Sequence, residues 1–447
     1  MVNEMAGRLK KKRRILFVGP YPPHQTGGHE YVTAKTAKAM KDRGFDVFVL
    51  FMGKEKFFER YDDNGIKVYR IDKFYFDRRW RFSMFQIFRY FTFELFNPFI
   101  FLMTMYVILR HRIDVVHFSS FHQISMSPLI AAKLLYRKVI VTMHSHELFC
   151  FISSLNTVCP GSEKHKCGEC ILNDQKIPGF LKGNRFLYKV AAGLANQMIK
   201  SMLFIRLKAV RLADVVTFPS EYLEKYHIEH GINPAKSVLI YNFLYNPEVK
   251  ESVTREFEEK WGLKGKGIIM FAGHMINLKG PDVLLKAFAN LLKNKKWAKR
   301  KNLRLLMIGR GPLLPALKRK AARLGIKDRT VFTGWVPRIE LMSAYSLSDV
   351  VVIPSRFAET FSMIFLEAFS MKKAVIASDI GALSYNIKDG ETGFLVKPAD
   401  ANQLTEKLDY VLSNLNSLGP MRRRAYEVSQ EKYSSNVILK EYERLFS

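Results

Sequence analysis

The sequence predicts an α/β protein built as two doubly wound domains. Three observations carry this. First, 447 residues are too many for one core and suit two. Second, Ala213-Asp214-Val215-Val216-Thr217-Phe218-Pro219-Ser220 is echoed by Ser348-Asp349-Val350-Val351-Val352-Ile353-Pro354-Ser355, one copy in each half. Third, each half opens on a short apolar strand that leads into a glycine loop, at 15–18 with Gly27-Gly28 and at 267–273 with Gly280.

Composition narrows the partners. The chain holds 71 Lys and Arg against 41 Asp and Glu, a net charge of +30. Such a field favours nucleic acid or an acidic membrane surface. No secretory signal is visible, because the basic run 10–14 passes straight into a strand. No apolar stretch reaches the roughly 18–20 residues of a membrane span. A cytoplasmic protein is expected.

Residues 15–18 read as the first strand and 29–43 as a helix stopped by Gly44. The pair Gly27-Gly28 reads either as a tight turn or as a loop that lets a ligand approach the backbone. Residues 46–51 and 67–71 read as further strands. Residues 74–106 carry fourteen aromatics, with Arg78, Arg79, Arg81 and Arg89 between them. They read either as rings packed on the first sheet or as a membrane-surface segment. Strands at 114–118 and 139–144 end in His117 and His144, at the edge where this architecture places ligands. Cys150, Cys159, Cys167 and Cys170 then admit a structural zinc, unpaired thiols or a loop disulfide. Residues 180–212 read as a long basic amphipathic helix. Residues 245–260, charged and poorly periodic, read as the linker between domain 1–244 and domain 261–429.

The stretch 349–367 carries the chemistry. Val350 to Ile353 is a buried parallel strand stopped by Pro354, and a helix begins near Ser362. Glu359 lies in the loop and Glu367 in the helix. A phosphate above the strand would meet the helix's unpaired N–H groups. Sugar hydroxyls would meet the two carboxylates. Diphosphate beside sugar hydroxyls describes a nucleotide-sugar. Taken alone, the two acids would also fit a helix-dipole partner and a solvated side chain.

These residues, with Lys373-Ala374-Val375-Ile376-Ala377-Ser378-Asp379-Ile380-Gly381 and Asp389-Gly390-Glu391-Thr392-Gly393-Phe394-Leu395-Val396, closely resemble the family 4 glycosyltransferases. The resemblance spans nearly the whole chain and is weakest in 54–110 and 150–205. It implies the GT-B fold: two facing Rossmann-like domains, a central cleft, and a last helix, about 430–447, packed back on the first domain. It implies a retaining enzyme in which Glu359 contacts the donor sugar and Glu367 the ribose. Backbone groups of Thr360, Phe361 and Ser362 would hold sugar and phosphate. Lys279 matches the diphosphate-binding lysine, Gly28 the glycine near the donor phosphates, and His144 the histidine beside the donor sugar. His274 departs from the pattern, because an Arg is usual there and neutral imidazole offers less to phosphate. Tyr385 stands where a Glu is usual.

The chain contains no Asp-x-Asp triplet, so no catalytic metal is expected. The expected donor is a UDP- or GDP-sugar, which is a substrate rather than a cofactor. The expected acceptor is a lipid-linked or other membrane-associated glycan at the inner face of the cell membrane, on an anionic surface. No nucleic-acid reading motif is present. The alternatives are a nucleotide-sugar epimerase of similar fold, or a non-catalytic lipid- or nucleic-acid-binding protein with a degraded donor site.

Overall fold

The computed structural model describes residues 13–19, 28–53, 58–72, 95–119, 124–150, 167, 184–245, 249–299 and 302–447. Two sheets organise them. The first comprises β1 (Arg14–Val18), β2 (Asp46–Gly53), β3 (Phe58–Asp63), β4 (Ile66–Asp72), β5 (Val115–Phe118), β6 (Lys138–Thr142), β7 (Val215–Phe218) and β8 (Ser237–Leu239). Its order is β3-β4-β2-β1-β5-β6-β7-β8. The second comprises β9 (Gly267–Ala272), β10 (Leu303–Ile308), β11 (Thr330–Gly334), β12 (Val350–Ile353), β13 (Ala374–Ser378) and β14 (Phe394–Val396), in the order β11-β10-β9-β12-β13-β14. Both orders reverse direction beside the first strand, the point where an open α/β sheet leaves a crevice for ligands.

The central strands are largely apolar because helices cover both faces of each sheet. On the first sheet, one core contains Val18, Phe118 and Val141 under the helices Pro98–His111 and Ser127–Leu134. The other contains Ile15, Phe17 and Ile140 under the helices Gly28–Asp42 and Ser435–Phe446. The chain's last helix therefore lies on its first sheet. Phe446 packs 5.6 Å from the Phe17 ring, and Lys138 Nζ donates to the Leu445 carbonyl.

Two elements differ from the sequence reading. β3 and β4 form an antiparallel hairpin closed by Asn64-Gly65, both at positive φ. That dipeptide is the strongest short hairpin signal. β3 was unreadable because its alternate side chains, in FERYDD, are charged or exposed. The expected linker contains the helix Glu251–Lys260, whose Phe257 is buried in the second domain's core. One inward ring among outward charges folds a helix here, and such sparse apolar content hides the period.

His117 is structural. It is buried between β5 and the last helix, bonded through Nε2 to Thr142 Oγ1 at 2.7 Å. Burial lowers its pKa to about 3. Burial likewise lowers His146 to about 4 and His227 to about 3. A folded pKa below the unfolded value near 6.5 means that the unfolded chain binds the proton first. Stability should be full above pH 6.5 and fall toward pH 4, by up to about 1.4 kcal/mol per pH unit for each histidine. Urea melts at pH 7.5, 6 and 5 check this, and His117→Gln should flatten the slope.

Candidate active site

β12 lies between β9 and β13, and its exit builds the site. Pro354 ends the strand, a loop carries Glu359, and the helix Met363–Ser370 carries Glu367. Both acids are buried, at 4% and 5% exposure, and neither is the solvated side chain that spacing alone allowed. Glu359 Oε1 accepts from Lys279 Nζ at 2.7 Å and from Ser355 Oγ at 2.6 Å. Lys279 ends the short turn Asn277–Lys279 after β9, and its ammonium stands 4.9 Å above the Phe357 ring.

Two features hold that turn against the β12 exit. Gly280 has φ +64, and a Cβ there would meet the Pro354 carbonyl oxygen at 2.0 Å. Arg356 grips Asp282 through both nitrogens, at 2.6 and 2.8 Å, and also donates to the Asn277 carbonyl. A forked guanidinium–carboxylate pair fixes direction as well as distance. The Arg356 and Lys320 charges outweigh the cost of burial and lower the Asp282 pKa.

Each oxygen of Glu367 accepts one hydrogen bond. Its Oε1 accepts from Arg338 Nη1 at 2.8 Å and its Oε2 from Tyr345 OH at 2.7 Å. Burial and the adjacent Glu367 charge raise the Tyr345 phenol well above its usual range, so it remains a donor. Across the cleft, Tyr31 from the Gly28–Asp42 helix lies 4.7 Å from the Arg338 guanidinium.

The start of the Met363–Ser370 helix is strained. Ser362 sits at φ +68 and its side chain makes no capping bond. Its buried Oγ has no hydrogen-bond partner among the described residues. Positive φ in a non-glycine residue and an unpaired hydroxyl persist where the surroundings impose them. Ser362→Gly should therefore raise unfolding stability by about 1 kcal/mol in a urea melt. Phe361 contributes only its backbone here. Its ring is buried against Phe365 and Tyr433, at 5.3 and 5.8 Å, and belongs to the core. Asn386 Nδ2 donates to its carbonyl at 3.3 Å and steadies the loop.

The first domain meets this loop directly. Ser220 Oγ, just past β7, donates to the Thr360 carbonyl at 2.6 Å. A Cβ on Gly28 would lie 3.1 Å from Met363. Tyr385 packs against Tyr222 across the cleft, their rings 6.1 Å apart. His144 stands partly exposed just beyond β6, beside the β7 exit, and His274 is exposed just beyond β9. Cys150 and Cys167 are partly exposed, while Cys159 and Cys170 lie outside the described residues, as do 74–94.

Of the residues that sequence reading singled out, the structure brings Glu359, Lys279, Glu367, Gly28 and Ser362 together around the β12 exit. Sequence reading did not single out Ser355, Tyr345, Arg338, Tyr31 or the Arg356–Asp282 pair. Ser355 carried a signal, as the residue at which the strand echo ends.

Two facing doubly wound sheets, with buried acids and a lysine where their exits meet, define a GT-B protein. Two family models account for most of the chain: "Glycosyltransferase Family 4" over residues 26–244 and "Glycosyl transferases group 1" over 253–430. The chain belongs to the family 4 glycosyltransferases. It is 26% identical to the α-D-kanosaminyltransferase of Streptomyces kanamyceticus, over 45% of this chain and 52% of that one. It is 26% identical to a GDP-mannose-dependent α-(1-6)-phosphatidylinositol monomannoside mannosyltransferase of Mycolicibacterium smegmatis, over 50% of this chain and 61% of that one. The chain thus spans about half the length of the curated relatives it matches. Its fold is similar to that of HepE from Anabaena in complex with UDP, with TM-score 0.66, 15% identity, and coverage of 97% and 99%. A glycosyltransferase from Rickettsia africae also gives TM-score 0.66, at 21% identity and 97% and 98% coverage.

Proposed function

We propose that this protein transfers the sugar of a UDP- or GDP-sugar to a lipid-linked or other membrane-associated glycan, with retention and without a catalytic metal. One observation carries the reading. An ammonium and a buried carboxylate stand 2.7 Å apart at the β12 exit, beside a helix start with an unpaired hydroxyl. Lys279, the Ser362 hydroxyl and the helix N–H groups suit a diphosphate. Glu359 suits sugar hydroxyls, and Glu367, with lone pairs to spare, suits a ribose.

In the reaction the bond from the anomeric carbon to the diphosphate oxygen breaks. The acceptor oxygen bonds to the same face of that carbon, and its proton leaves with the diphosphate. Lys279 stabilises the charge that develops on the leaving group. His144 faces the sugar from the first domain. The contacts from Ser220 and Tyr31 support a cleft that closes against water, whose attack is the competing reaction. Retention is inferred from family membership. One relative's name specifies GDP-mannose and phosphatidylinositol monomannoside, and a structural neighbour holds UDP, so both donor bases stay in the proposal.

The first domain suits a membrane-borne acceptor. The helix Arg185–Val210 contains no acidic residue and exposes Phe186, Val190, Leu194, Phe204 and Ile205 beside Arg185, Lys189 and Lys208. The helix Pro98–His111, on the same side of the first sheet, exposes Leu102, Tyr106 and Leu109. No helix among the described residues is long and apolar enough to cross a membrane. Exposed rings between lysines and arginines fit attachment to an anionic surface. The protein should pellet with phosphatidylglycerol vesicles and be only partly released by 1 M salt. Phe186→Ser with Phe204→Ser should remove the salt-resistant share. A wild type that ignores vesicles at about 0.15 M salt would move the acceptor to a soluble glycan.

The function itself is tested by release of nucleoside diphosphate from UDP- and GDP-sugars in excess EDTA, with a lipid extract as acceptor. Label should move into the lipid fraction. Interconversion of free nucleotide-sugars would favour the epimerase, and rescue by Mg²⁺ or Mn²⁺ would overturn the metal-free reading. Rescue by Zn²⁺ alone would point to a folding site at Cys150, Cys159, Cys167 and Cys170.

A further inference from the structure

A second group of cations gathers at the amino edge of the first sheet, a full strand's length from the cleft. β1, β2 and β4 run parallel, with Arg14 beside Asp46 and Phe48 beside Lys67, so strands that lead toward the cleft begin here. The helix Pro98–His111 ends at the same edge, where Arg112 turns the chain at φ +49. These segments enclose a cavity of about 420 Å³, lined by Arg14, Lys67, Arg110, His111 and Arg112, with Asp46 as the one carboxylate among its lining residues. Basic residues at a helix C-terminus often serve only its dipole. That role does not account for this cavity. Arg14 and Lys67 come from strands, not from the helix. The helix end is already covered, since Arg14 Nη1 donates to the His111 carbonyl and the Arg112 N–H to those of Ile108 and Leu109. Asp46 is 65% exposed and stands 3.6 Å from Arg14. No carboxylate among the described residues forms an ion pair with Lys67, Arg110 or Arg112. The charges converge on one space: burial first, then Lys67, Arg110, Arg60 and Arg14, lower the His111 pKa to about 4.

Like charges around a cavity repel, and an anion between them turns that repulsion into attraction. Guanidinium forks match the geometry of phosphate, and a phosphomonoester brings nearly two charges and three acceptor oxygens. A carboxylate brings one charge to a wall that carries four cations. We propose that this cavity is a phosphate site, separate from the cleft, that takes a phosphomonoester, either free or as the headgroup of a lipid. The surroundings favour the lipid source. Leu102, Tyr106 and Leu109 are exposed along the helix that ends at Arg110. Leu134 and Tyr136 are exposed at the neighbouring turn before β6, Tyr136 at 95%. Apolar side chains beside a phosphate pocket suit acyl chains beside a headgroup. A lipid held here would fix the first domain on a membrane at a point clear of the cleft. No group of the donor site takes part, so the inference stands apart from the nucleotide-sugar reading.

The test is a calorimetric titration of the full chain with inorganic phosphate. Beside it runs flotation with phosphatidylcholine vesicles holding equal fractions of phosphatidic acid, a monoester, or phosphatidylglycerol, a diester. The pocket variant is Lys67→Gln, Arg110→Gln, Arg112→Gln, all at exposed positions. The control, Lys318→Gln, Arg319→Gln, Lys327→Gln, removes the same charge from exposed positions of the second domain. Wild type should bind phosphate saturably. The pocket variant should lose about tenfold or more of that affinity, and the control should stay within twofold of wild type. Phosphate that also enters the cleft is common to all three proteins and drops out of the comparison. Arg110→Gln alone, one exposed change at a helix end, should move the affinity in the same direction. Wild type should float better with phosphatidic acid than with phosphatidylglycerol, and the pocket variant should lose that preference. Loss of phosphate affinity in the pocket variant without a lipid preference in wild type would support the site and identify its source as a free phosphomonoester. Unchanged phosphate affinity and lipid preference in the pocket variant, or equal losses in pocket variant and control, would overturn the proposal.

Discussion

Lys279→Ala should lower kcat/KM for sugar transfer about 10²- to 10³-fold, the usual cost of removing one donor from a developing oxyanion. The same change strips Glu359 of its ion pair. Glu359 is buried, so an uncompensated carboxylate would also cost about 3 kcal/mol of stability. The two effects separate in a double variant. Adding Glu359→Gln to Lys279→Ala removes the buried charge and should restore most of the stability, while transfer remains lost. Glu359→Gln alone should keep the bond to Ser355 and still lose rate. If the double variant recovered activity together with stability, the pair would be a structural ion pair. Glu359→Ala is the less informative change, because it leaves both Ser355 and Lys279 without their acceptor.

Gly280→Ala should be among the most damaging single-methyl changes in the chain. The position has φ +64, which costs a side-chain-bearing residue about 1–2 kcal/mol. Its Cβ would also lie 2.0 Å from the Pro354 carbonyl oxygen, so the Lys279 turn and the β12 exit must part. We expect a loss of about 3 kcal/mol or more together with transfer activity. Gly325→Ala is the matched control. Its φ is +69, but nothing lies within 4 Å of the added carbon. It should cost only the backbone term, about 1 kcal/mol, and leave transfer intact. Equal losses in both variants would show that the contact with Pro354 is unimportant.

What the sequence revealed follows from what is local. β12 was legible because Val350 to Ile353 is apolar on both faces and Pro354 stops it. Glu359 and Glu367 were read from the family resemblance of the stretch 349–367, since their spacing alone also fits a helix-dipole partner and a solvated side chain. The His117 environment was not, because Phe446 reaches it from the far end of the chain. Arg338 lies in a helix whose pattern is ordinary, and its meaning comes from Glu367 and Tyr31, far away in sequence. Tyr345 looks like a core ring until its hydroxyl is seen on Glu367. Phe361 can offer the cleft only its backbone, because its ring follows the helix Met363–Ser370 into the core. Positions joined by tertiary contacts between the domains carry no spacing signal.

The central claim is that the Lys279–Glu359 corner of the cleft binds a nucleoside diphosphate without a metal. Equilibrium titration of UDP and GDP in excess EDTA, on wild type and on the Lys279→Ala, Glu359→Gln double variant, tests it most directly. At least one nucleotide should bind wild type with EDTA present, and the folded double variant should lose that affinity about a hundredfold. Binding that appears only with Mg²⁺ or Mn²⁺, or that survives in the double variant, would contradict the account.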